Sequence, residues 1–227
     1  MLKNVSQKFS GGCFLLVRRN EEAVIFLGTA FLIHEEGYLL TAAHLLEDNP
    51  EDLMVARPND PDDFTPLSLD SVTPIGITVE KVDKVHNTAL LRLSRKLHIG
   101  TPDHLAGQID TIFLGSSILC LGFPFGHQDL HNLAVQDGIV SSKVVLKNGT
   151  RLLLIDSMVH DGMSGGPLVN TEDGRVVGII TGRFTPDEDG GDFTRGTSHP
   201  DYHTAFSYAV SIEYGLTMLE EQGLEVS

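Results

Sequence analysis

Residues 160–170 read HDGMSGGPLVN. Ser164 lies between Gly162 and the pair Gly165-Gly166, and residues 166–170 have the make-up of a short strand. Glycines beside a serine let the backbone enter conformations closed to other residues and leave the hydroxyl uncovered. They also let backbone N–H groups aim at one point, as an oxyanion hole requires. A plain glycine-rich turn between strands fits the same letters, so the surroundings decide the reading.

Outward from this turn, short apolar runs alternate with Asn, Asp, Gly or Pro. The pattern predicts strands over 12–19, 23–34, 38–43, 53–58, 76–82, 88–93, 117–124, 134–146, 151–157, 166–170, 176–184 and 205–211. No long segment of helical period separates them, which points to an all-β barrel or sandwich and away from βαβ units. One helix is predicted near the end, in SIEYGLTMLEEQG (211–223). Ile212, Leu216 and Leu219 share a face, Ser211 is the N-cap and Gly223 the stop. The polar stretch 95–110 reads as a connection between two halves.

The chain has 227 residues, 41% hydrophobic and 21% charged, which suits one globular unit with an aliphatic core. Its net charge is −15 and it lacks a basic stripe, which argues against nucleic-acid binding. The acidity gathers in 47–64 and 187–192, either as solvated loops or as a field that steers basic substrates. Cys13 and Cys120 lie in separate apolar runs, as buried free thiols do, with no disulfide framework or C-x-x-C metal spacing. The apolar run 13–17 is too short for a signal-peptide core or a membrane span. A cytoplasmic protein away from the membrane is therefore expected, although a chain trimmed of its leader would read the same way.

GYLLTAAHLLED (37–48) supplies a histidine, His44, where a strand ends in small residues. Histidine is the usual base for a serine hydroxyl. HNTALLRL (86–93) supplies a third stretch, a core strand with His86-Asn87 at its entrance. The paired histidines of HQDLH (127–131) and HPDYH (199–203) have a spacing that suits a metal only on a helix. Both lie in turn-rich sequence, so no metal is expected.

TAAH, then x-x-A-L-L-R-L, then G-x-S-G-G-P-L, in that order, resembles the chymotrypsin-like (trypsin-fold) serine peptidases. GFP at 122–124, QDGIVSS at 136–142 and Asp156, eight residues before the serine, lean toward the HtrA-type branch. The resemblance runs from about residue 28 to 211 and lacks the PDZ domain of many HtrA proteins, so the chain looks like a peptidase domain alone or a fragment. It implies a single domain over 1–227, built of two six-stranded antiparallel β-barrels with a C-terminal helix. The first barrel would cover about 1–105 and the second, with the helix, about 106–227.

The resemblance also implies roles. Ser164 would be the nucleophile, His44 the general base, and the N–H groups of Gly162 and Ser164 the oxyanion hole. Thr181, Gly182 and Arg183 would pair with an extended substrate. Met158 would form the base of the primary pocket and Phe206 line it, favouring small to medium aliphatic side chains. Arg183 is unusual there. It either narrows the pocket, draws an acidic substrate residue or is simply solvated.

The family places an aspartate where this chain has Asn87. Natural restraint, a peptide-binding pseudoenzyme, an introduced change and substitution by a neighbouring carboxylate such as Asp83 all remain open. So does an esterase-like activity. The partner expected is a peptide or protein substrate, with no cofactor; a regulatory partner or flanking domain and the oligomeric state stay open. The insert 185–203 is either a lid or a mobile loop.

Overall fold

The computed structural model describes residues 2–20, 23–47, 49–57, 62–64, 74–95, 104–128, 130–183 and 206–225. The insert at 185–203, with HPDYH, lies outside them. Twelve strands form two closed antiparallel barrels. The first contains β1 (Cys13–Arg19), β2 (Val24–His34), β3 (Tyr38–Ala42), β4 (Leu53–Ala56), β5 (Pro74–Asp83) and β6 (Thr88–Leu93), in the order β1-β2-β3-β6-β5-β4. The second contains β7 (Ser117–Gly122), β8 (Ala134–Val145), β9 (Arg151–Asp156), β10 (Pro167–Asn170), β11 (Arg175–Arg183) and β12 (Phe206–Ser211), in the order β10-β11-β12-β9-β8-β7. Counted from its own first strand, each barrel has the same circuit. All twelve predicted strands are present, and the double barrel expected from the sequence is the fold.

Strands that face two cores explain the unbroken apolar runs. In β1, Phe14 and Leu16 point into the first barrel, whereas Cys13, Leu15 and Val17 join a core shared between the barrels. In β7, Ile118 and Cys120 fill the second barrel, while Leu119 and Leu121 enter the shared core. A strand buried on both faces loses the apolar–polar alternation of a half-exposed one. Burial pushes the thiols of Cys13 and Cys120 up to about 12, so both remain protonated packing groups.

Two helices seal the shared core. The first, α1 (Leu2–Ser10), was not predicted. Val5 and Phe9, one turn apart, are buried against the shared core, and Lys8 donates to the Gly174 carbonyl of the second barrel. The second, α2 (Glu213–Glu221), begins one residue later than the sequence suggested. Ile212 occupies the N-cap position in place of Ser211, because Ser211 is the last residue of β12. The Ser211 hydroxyl still accepts the Glu213 N–H at 3.3 Å. Gly215 lets α2 approach the first barrel, since a Cβ there would lie 2.5 Å from a Leu40 methyl.

Phe9→Ala should destabilise the protein by about 3 kcal/mol through loss of a buried ring and the void left behind. Urea unfolding should show a lower midpoint with an unchanged slope.

Candidate active site

His44 sits in a single 3₁₀ turn, Ala43–Leu46, where the chain leaves β3. Asn87 lies just before β6, which pairs with β3 so that Ala42 faces Thr88. That register brings the two residues together. The Ala43 N–H donates to the Asn87 main-chain oxygen at 3.1 Å, and the His44 N–H to Asn87 Oδ1 at 2.9 Å. Asn87 has a φ of 53°, a left-handed conformation that asparagine and aspartate enter more readily than other side-chain-bearing residues.

The His44 N–H fixes which way the amide faces. A main-chain N–H only donates, so the atom it meets is the amide oxygen. Asn87 Nδ2 then lies 3.0 Å from the ring nitrogen His44 Nδ1, closer than Oδ1 at 3.2 Å. The same amide thus offers Nδ1 both a donor and an acceptor, and which one it meets depends on the ring tautomer. Burial holds His44 below its ordinary 6.5, and the Asn87 hydrogen bond only partly offsets this.

Ser164 is buried, and its hydroxyl donates to the Thr181 carbonyl at 2.8 Å. A hydroxyl has one proton to give. Among the described residues no hydrogen bond joins Ser164 to His44. Neither the Gly162 nor the Ser164 N–H has a hydrogen-bond partner among the described residues, which leaves both predicted oxyanion donors unspent. Gly162 takes a φ of +100°, and a Cβ there would lie 2.2 Å from the Phe123 carbonyl. Gly165 takes +86°, and a Cβ there would lie 2.0 Å from the Thr29 carbonyl. Only glycine fits either position.

Thr29 of β2, which the sequence reading missed, holds this loop to the first barrel. Its N–H donates to the Ser164 carbonyl at 2.9 Å and its hydroxyl to the Gly162 carbonyl at 2.7 Å. The hydroxyl also accepts the Phe123 N–H at 3.1 Å, and the Thr29 carbonyl accepts the Thr41 hydroxyl at 2.7 Å. Thr41 stands three residues before His44, so one chain of hydrogen bonds links the serine loop to the histidine-bearing strand. The only sequence signal was a threonine inside an apolar strand.

Asp83 does not take the place of a missing aspartate. Its carboxylate accepts the N–H groups of Val85 and His86 and pairs with His86 Nδ1 at 2.5 Å. Partial burial alone would raise its pKa, but these contacts together hold it below the ordinary carboxylate value. The His86 ring stacks on Tyr214 of α2 with centroids 3.9 Å apart, so the C-terminal helix supports the turn that carries Asn87. A cavity of about 580 Å³ opens between the barrels beside this turn. His44, Lys84 and Asn87 line it from one side, Asn148 and Thr181 from the other.

The remaining predicted residues lie on three segments, after β9, at the end of β11 and at the start of β12. Met158 follows β9, and Phe206 pairs with Asp156 at the start of β12. Both side chains are close to half exposed. Val159 N–H donates to the Ser207 hydroxyl at 2.9 Å, tying the segment to β12. Thr181, Gly182 and Arg183 end β11, and an Arg183 guanidinium nitrogen lies 3.6 Å from an Asp161 carboxylate oxygen. In HQDLH, His127 is exposed and His131 buried, and no cluster of three metal-ligating side chains occurs among the described residues.

Two β-barrels with a histidine on the first and a serine in a glycine loop on the second define the chymotrypsin-like architecture. The Trypsin-like peptidase domain family matches residues 28–179, and the chain belongs to that family. Its likeness is to HtrA-type serine proteases. It is 30% identical over 173 residues to serine protease HTRA4 of Mus musculus, covering 73% of this chain and 32% of that protein. It is 28% identical over 167 residues to the magnetosome formation protease MamE of Magnetospirillum gryphiswaldense, covering 70% of this chain and 19% of that protein. The chain thus spans well under half the length of these relatives. Among solved structures, an HtrA-type protease AlgW with a decapeptide superposes with a TM-score of 0.71 at 20% identity, over 97% of this chain and 67% of that one.

Thr29→Val should cost about 1–3 kcal/mol, because the Gly162 carbonyl and Phe123 N–H each lose a partner; a shift of the urea midpoint measures it. The His44 ring should titrate below 6.5 by NMR, and Asn87→Asp should raise its pKa, since a carboxylate favours the imidazolium. A His44 pKa unmoved by that substitution would contradict the contact described.

Proposed function

We propose that the chain is a serine endopeptidase held in a low-activity state. The observation that carries this is the assembly at the barrel junction: His44 bonded to Asn87, and Ser164 on the Thr181 carbonyl in a loop with unspent N–H groups. In this reading an extended peptide pairs with Thr181–Gly182–Arg183, and its own N–H takes the Thr181 carbonyl. The freed Ser164 hydroxyl turns to His44 Nε2. Ser164 Oγ attacks the scissile carbonyl as its proton passes to His44, and the Gly162 and Ser164 N–H groups hold the oxyanion. His44 then protonates the leaving amine, and water, deprotonated by the same ring, releases the acyl group.

Two features restrain this sequence. The Asn87 amide nitrogen can donate to His44 Nδ1, and that tautomer carries its proton on Nε2, where it cannot accept from the Ser164 hydroxyl. The imidazolium then has an amide beside it and not a charge. In serine peptidases of this type, replacing the aspartate by asparagine lowers turnover about ten-thousand-fold. The same two features favour a second reading, a protease fold that binds peptides with little turnover. For either, Met158 and Phe206 suit small to medium aliphatic side chains at the residue before the cleaved bond, and Met158→Asp should move the preference toward Lys and Arg.

The deciding experiment compares hydrolysis of a peptide library by this chain and by Asn87→Asp, with labelling of Ser164 by a fluorophosphonate. The peptidase reading expects slow labelling of the chain and cleavage faster by about three to four orders of magnitude in Asn87→Asp. A folded Asn87→Asp protein that neither labels nor cleaves would sink it and leave the binding reading.

A further inference from the structure

Two self-contacts join the segment 158–164 to the end of β11. At the inner end the Ser164 hydroxyl donates to the Thr181 carbonyl at 2.8 Å. At the outer end Arg183 faces Asp161. The first contact is one that a substrate N–H replaces. The second has a matching property. At 3.6 Å the ion pair is too long for a hydrogen bond, so the guanidinium's donors are not spent on Asp161. Arg183 is the more buried partner, with a side chain 21% exposed against 50% for Asp161. A partly buried, fork-shaped donor beside a loosely held carboxylate is suited to exchange it for a better placed one.

Strand geometry says where that carboxylate comes from. A peptide laid antiparallel to Thr181–Arg183, with the N–H of the residue before the cleaved bond on the Thr181 carbonyl, sets its third residue before that bond opposite Arg183. Residues directly opposite in an antiparallel pair project to the same face, with Cβ atoms about 5 Å apart. We infer that Arg183 selects an acidic side chain at the third residue before the cleaved bond, which displaces Asp161. This rests on the peptide-pairing part of the proposed function and adds a substrate class to it. It also runs against the chain's net charge of −15, so a preference for acid would be a local effect and not long-range steering.

Binding tests this without requiring turnover. Matched peptides carrying Glu or Gln at that position are titrated by fluorescence anisotropy into the Ser164→Ala chain, in Arg183 and in Arg183→Gln backgrounds. The Glu peptide should bind about fivefold more tightly, and the advantage should vanish in Arg183→Gln. Asp161→Asn, which removes the internal competitor, should widen it. Equal binding of the two peptides, tighter binding of Gln, failure of both to bind, or an advantage that survives Arg183→Gln would each overturn the inference. Cleavage by Asn87→Asp is scored separately. A Glu advantage in binding with no cleavage defeats the peptidase reading and leaves this one standing. Cleavage without a Glu advantage does the reverse.

Discussion

Thr29 makes hydrogen bonds in four directions from one residue, and the site depends on them. Its N–H and hydroxyl hold the carbonyls on either side of Met163, its own carbonyl receives the Thr41 hydroxyl, and its oxygen caps the Phe123 N–H. The partners belong to both barrels. Two closed barrels packed through a greasy layer would otherwise be free to slide, because apolar contacts are non-directional. Directional bonds in that layer set the register between the histidine and the serine. The glycines at 162 and 165 complete the arrangement by letting the loop backbone approach the first barrel to distances that no side chain permits.

Within that frame the chemistry is a matter of where a few protons point. The amide at position 87 accepts a main-chain N–H at its oxygen and offers both its oxygen and its nitrogen to the imidazole. The serine spends its only proton on a main-chain carbonyl. Neither contact strains the fold, and both are individually favourable. Together they leave both side chains hydrogen-bonded within the chain. On the proposed function, the contact that holds the serine is also one that a substrate would have to displace.

Much of this was legible in the sequence. Most of the twelve strands were marked by turn residues at their ends, and the order of TAAH, TALLRL and GMSGGPL carried the resemblance that implied the double barrel. The contact of Asn87 with His44 followed from the same alignment, because strand pairing alone brings residue 87 to residue 43. The first helix was missed since only two of its residues, Val5 and Phe9, are apolar and buried, too few for a periodic signal. Its stability comes from the shared core and not from its own propensity. Thr29 and Asp161 were missed for a different reason. The Thr29 hydroxyl meets a carbonyl 133 positions away, and Asp161 meets Arg183 across a cleft. Neither relation leaves a periodic or motif trace.

The two cysteines stand in different layers, and this has a consequence for how the molecule comes apart. Cys13 faces the layer between the barrels, and Cys120 faces the interior of the second. Protonated and enclosed, neither thiol meets a reagent in solution until its own layer opens. Separation of intact barrels would uncover the first alone, whereas fraying of the second barrel would uncover the other. The chain thus carries a native pair of chemical witnesses that distinguish parting from melting.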